Sequence, residues 1–211
     1  MWLVTCRYRG FPVYRLPARF FLVFAMQAPL LFTARLFDAE TTGQLGLAMM
    51  ATTLPFLIVG QAMSRAYYGE MARIGAGKAD EILHETRKVI LFMCLLGLPV
   101  ACILFMFAEP LAVVILGEAW AQAGNFMALL SIMLVPQFIS ATVIRSLDVL
   151  EAHRLLIMLH FMRLLLISGT FLIAGWHGAS SETTILAYAC ALAAHYVLQV
   201  FIIYLALQRK H

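Results

Sequence analysis

Apolar residues run along the chain in blocks of about 20, and the charged and polar residues gather in short segments between them. A block of that length crosses a hydrocarbon core of roughly 30 Å, because a helix rises about 1.5 Å per residue. Six blocks are legible, at about 17–37, 43–64, 88–108, 123–145, 155–175 and 184–206. The pattern predicts an all-α polytopic membrane protein: a basic arm over 1–16, a single six-helix transmembrane domain over 17–207 and a short tail over 208–211.

Charge sorts the connecting segments into two sets. An even number of spans puts both termini on one side, and that side holds thirteen of the 15 Lys and Arg residues. They are Arg7, Arg9, Arg15 and Arg19 in the arm, Arg65, Arg73, Lys78, Arg87 and Lys88 in the longest loop, Arg145 and Arg154 around the third, and Arg209 and Lys210 at the end. The opposite segments carry Asp38, Glu40, Glu109, Glu118 and Glu182 with only Arg35 as a cation. Cationic loops stay in the cytoplasm, so both termini are expected there. Removing one span would invert every loop after it and destroy this segregation.

Composition agrees with the pattern. Of 211 residues, 63% are apolar and 12% charged, and the mean hydropathy is +0.90. An ordinary soluble domain is roughly half apolar and about a quarter charged. The loops leave no room for a water-soluble catalytic domain. A net charge of +4 reports orientation rather than nucleic acid, which is not expected as a partner. Cys6, Cys94, Cys102 and Cys190 form no CxxC pair, so neither a disulfide framework nor a metal site is indicated. A full-length span follows the basic arm without a cleavage site near its end, so no cleavable signal is read.

Four spans contain proline, at Pro29, Pro55, Pro99 and Pro136. Each frees a carbonyl that must find a partner in lipid. Bent helices of a transport pathway and plain helix packing are both consistent with this. The longest loop reads as two helical extensions joined by a turn at Gly75-Ala76-Gly77, the second capped by Asp80. A solvated connector is expected there rather than an element lying on the bilayer.

Arg163 lies near the middle of the fifth block, flanked by Leu159, Met162, Leu164 and Leu165. A cation at that depth costs roughly 2.5–3.5 kcal/mol, so it is expected to face a partner or a wet cavity. His160, three residues earlier, shares its helical face, and the pair suits a phosphate or another anion. Pairing with a backbone carbonyl, or snorkelling to the surface, is the alternative. In the sixth block His195 and Gln199 share a face with Tyr188, a stripe suited to interhelical hydrogen bonding. Gln27, Gln61 and Gln137 lie in or near proline-bearing spans and are further candidates for a cavity wall.

An enzyme is not expected. HExxH, GxSxG and GxxxxGK[ST] are missing, no span holds an aspartate, and Ser140 and His195 sit on different spans. Asp148 and Glu151 lie beside Arg145 and Arg154, where local ion pairing is the expected use.

Several stretches resemble the C-terminal half of oligosaccharide or O-antigen flippases of the multidrug/oligosaccharidyl-lipid/polysaccharide exporter superfamily. Tyr8-Arg9-Gly10-Phe11-Pro12-Val13-Tyr14-Arg15-Leu16-Pro17 is similar to the linker entering the seventh span, and Thr42-Gly43-Gln44-Leu45-Gly46 to the turn before the eighth. Leu54-Pro55, Gly60-Gln61-Ala62 and Tyr67-Tyr68-Gly69-Glu70 resemble the eighth span and the loop after it. Pro110-Leu111 and Ile115-Leu116-Gly117-Glu118-Ala119-Trp120 resemble the periplasmic element before the tenth.

The resemblance covers about 8–205 and implies one lobe of a two-lobed flippase in the bacterial inner membrane. It implies that an undecaprenyl-diphosphate-linked oligosaccharide is moved by alternating access. No cofactor is expected, and His160 and His195 are the candidates for coupling to a proton or sodium gradient. Met1 falls where the family has its interlobe linker, so the second lobe is expected from another copy or a separately encoded partner. An anionic substrate with an apolar tail needs cations at a cavity, and Arg163, Arg35, Arg19 and Arg15 are those available. A non-transporting scaffold or truncated remnant is the alternative. Multidrug efflux fits less well, because the one charge buried in a span is positive.

Overall fold

A computed structural model describes residues 10–75, 78–149 and 152–208. Six long helices account for almost all of them: α1 (Gly10–Leu36), α2 (Ala39–Ile74), α3 (Ala79–Leu116), α4 (Ala121–Val143), α5 (His153–Trp176) and α6 (Ser181–Gln208). Single helical turns at Glu118–Trp120 and Ser146–Val149 precede and follow α4, and the described residues include no strand. Five helices are long and apolar enough to cross a bilayer, and α2 makes a sixth as a bent span. The chain is an all-α multi-pass membrane protein.

α1, α3 and α4 run through Pro29, Pro99 and Pro136 as continuous helices. The halves of α2, Ala39–Leu54 and Val59–Ile74, meet at 48°.

α4 is the central helix. Ala123, Gly124, Phe126, Leu130, Leu134 and Val143 along it are all buried, and α2, α3 and α6 pack around it, with α1 against α5. Gly124 allows the closest crossing: a Cβ there would lie 2.5 Å from the Glu109 Cα and 2.8 Å from the Ala108 carbonyl oxygen of α3. The outer face of α3, with Leu91, Leu95, Met106, Val114 and Ile115, is exposed and apolar, as a helix facing lipid tails must be.

Two cores fill the bundle, one at each end. Leu45, Phe126, Leu130, Phe171 and Tyr188 build the first. The start of α4 is fastened to α2 there by Gln44, which donates to the Ala119 carbonyl at 2.6 Å and accepts from the Ala123 N–H at 3.0 Å. The second core holds Tyr67, Met71, Ile82, Val143, Leu159 and Ile203.

That second core corrects two expectations about the longest loop. α2 does continue to Ile74, ending at Gly75 with φ 77° and its N–H bonded to the Met71 carbonyl, and α3 begins at Ala79. The extensions are not a solvated connector, however. Tyr67 and Thr86 are buried and hydrogen-bonded at 2.8 Å, because the extensions carry an apolar face that packs against α4, α5 and α6. Asp80 is not the cap either: Lys78 holds that position without a side-chain capping bond, and Asp80 lies in the first turn, where its charge favours the helix start.

Candidate functional site

A cavity of about 270 Å³ opens between α1, α4, α5 and α6. α5 contributes His160 and Arg163, one helical turn apart on the same face as their spacing requires. Arg19 enters from α1, Gln137 and Ser140 from α4, and Tyr196 and Gln199 from α6. The turn after α4 adds Arg145 and Asp148 to the lining. Arg163 lies ten residues into α5, so the cavity penetrates about 15 Å from the helix end.

The electrostatics are one-sided at depth. The Arg163 guanidinium lies over the Tyr196 ring, 5.5 Å from its centroid, and its buried Nε makes no hydrogen bond among the described residues. An aromatic face attracts the cation but supplies no countercharge. At the outer end the charge is balanced, with Arg145 3.8 Å from Asp148 and bonded through Nε to Ser64 of α2 at 3.3 Å. That ion pair was the use expected from the local sequence, and it also forms part of a cavity wall.

A second cavity, of about 660 Å³, lies on the α2 side of the same wall. Thr53, Gln61, Ser64, Arg65 and Tyr68 line it from α2, and it shares Gln137, Ala141, Arg145 and Asp148 with the first. Ligand pockets typically hold roughly 300–1,000 Å³, so the first is small and the second ample.

Of the residues singled out in the sequence, Arg19, Gln137, His160, Arg163 and Gln199 line the first cavity, and Gln61 lines the second with Gln137. Gln27 lies on the exposed side of α1, and Arg35 is exposed at the far end of that helix. Neither lines the first or the second cavity. The side chain of Arg15 lies outside the described residues. His195 is buried beside Tyr196, with ring centroids 5.6 Å apart, and neither of its nitrogens has a hydrogen-bond partner among the described residues. The stripe with Tyr188 and Gln199 does turn inward, but His195 is not held by the interhelical hydrogen bond expected of it.

Sequence reasoning missed Ser140 and Tyr196 as wall residues. Each lies three residues from a predicted one, Gln137 and Gln199, so helical spacing was the available signal. Among the described residues no three His, Cys, Asp or Glu side chains cluster to hold a metal ion.

Residues 5–125 match the family described as polysaccharide biosynthesis proteins, more than half of the chain. The protein therefore belongs to that family, and it is a flippase-related membrane protein. No curated protein and no solved structure matches it. The matched region spans α1 to the start of α4, so Arg19 and the α2 wall fall within it and Arg163 beyond it.

Proposed function

We propose that this chain is one lobe of a transporter that moves a lipid-linked oligosaccharide across the bacterial inner membrane, with both termini cytoplasmic. The observation that carries the reading is Arg163, a cation halfway along a span and set in a cavity wall with Arg19 and His160. A diphosphate is the group such a site suits. Guanidinium forks bind phosphate oxygens in pairs, and the low dielectric of a helix bundle strengthens each contact.

The lipid tail needs no pocket of its own, because the outer helix faces are apolar. Alternating access asks for a bundle that can pivot, and the bent α2 beside the shared wall is the element suited to it. Arg145 and Asp148 line the end of the first cavity that is cytoplasmic in this reading. No bond is made or broken in this reading. The second lobe is a further six-helix unit, and native mass spectrometry of the protein from its own membrane shows by mass whether that unit is another copy, a separate protein or part of the same polypeptide.

The test is polysaccharide export in host cells whose only copy carries Arg163→Ala, with membrane level checked by blot. Export should fall at least tenfold at unchanged level, and Arg163→Lys, which keeps the charge but not the fork, should fall less. Wild-type export by Arg163→Ala would overturn the reading and leave a scaffold.

A further inference from the structure

We infer that the second cavity is the site that holds the sugar head of the ligand, while the first holds its diphosphate. The inference rests on the proposed function and concerns the α2 side of the shared wall.

Its first support is the chemistry of the lining. A sugar ring presents hydroxyls that both donate and accept, together with an apolar C–H face. Neutral amides and hydroxyls meet the first requirement, since Gln offers donors and an acceptor in one plane and Ser and Thr offer both on one oxygen. The second cavity supplies Gln61, Gln137, Ser64 and Thr53. An aromatic ring meets the second requirement, and Tyr68, 45% exposed, lies at the same wall with a polar hydroxyl at its tip.

Charge divides the two cavities in the same sense. Arg145 and Asp148 belong to both and offset each other. Without that pair, the first cavity has two cations, Arg19 and Arg163, whereas the second has Arg65 alone. Size follows the same order, about 270 Å³ for the compact anion and about 660 Å³ for the larger head.

Connectivity completes the argument. The sugar and the diphosphate are joined by one covalent linkage, so their sites must adjoin. Gln137 and Ala141 of α4 face both cavities and place the junction there.

The experiment purifies the tagged chain from its own membrane and measures by mass spectrometry the retained undecaprenyl diphosphate and its glycosylated forms. Wild type should retain the glycosylated lipid in preference to the bare one. Tyr68→Ala and Gln61→Ala should lower that ratio at least fivefold, Tyr68→Phe should keep it, and Arg163→Ala should deplete both lipids together. An unchanged ratio in Gln61→Ala and in folded Tyr68→Ala overturns the inference while the transport reading stands, as does a wild type that retains both lipids without preference. A wild type that retains neither lipid overturns the transport reading and this inference with it.

Discussion

The Arg163 guanidinium carbon lies 5.5 Å from the centroid of the Tyr196 ring, joining α5 to α6 at the cavity wall. The ring holds the cation in place without neutralising it. Such a contact contributes about 0.5–2 kcal/mol, or roughly a 2- to 30-fold effect on affinity. Tyr196→Leu should weaken retention of undecaprenyl diphosphate within that range, as measured by mass spectrometry of the purified protein. Tyr196→Phe should bind as wild type, because the buried Tyr196 hydroxyl has no hydrogen-bond partner among the described residues.

Gln44 fastens the start of α4 to α2 through both ends of its amide. The Ala123 N–H is in the first helical turn and has no partner within its own helix. Gln44→Leu removes both bonds and leaves buried groups unpaired, at a cost of about 1–3 kcal/mol. The melting temperature in detergent should fall, and membrane insertion should not.

Two glycines should respond oppositely to alanine. At Gly124 the new Cβ meets the α3 backbone at 2.5 Å, so the helices must separate, at a cost of about 1–3 kcal/mol. At Gly43, within α2, nothing lies within 4 Å, and Ala should stabilise the helix by about 0.5–1 kcal/mol. Thermal unfolding of the two variants beside wild type checks both signs.

The cap at Asp38 sets a pH dependence. Its carboxylate accepts the Thr41 N–H at 2.7 Å, and that bond holds its pKa below the ordinary value. A lowered pKa means that the cap is intact above the ordinary value of about 3.9 and is lost as pH falls through the lowered one. Hydrogen exchange at the Thr41 amide, compared with other α2 amides, should therefore speed up below pH of about 4. Asp38→Asn, which caps without ionising, should remove that step.

The six spans, their order and the helical extensions beyond the longest loop were legible in the chain itself. Lipid imposes one rule on every exposed residue, so apolar block length alone reports a span. Arg163 was legible for a related reason, since a cation at that depth is costly enough to need a wet or partnered place. The Gly75 turn was readable because the backbone there needs a positive φ.

What the chain alone did not determine was which polar residues converge. Gln27 and Gln137 look alike in sequence, yet one faces outward and the other lines both cavities. Arg35 and Arg19 lie on one helix, and only Arg19 reaches the site. Arg145 and Asp148 are three residues apart and read as a local pair, whereas their place in a shared wall depends on Ser64, 81 residues away in sequence. The rotation of each helix about its axis is set by its neighbours, through the close crossing at Gly124, the α2 bend and the two cores. Hydropathy says how deep a residue sits in the membrane, and only helix packing decides what it faces.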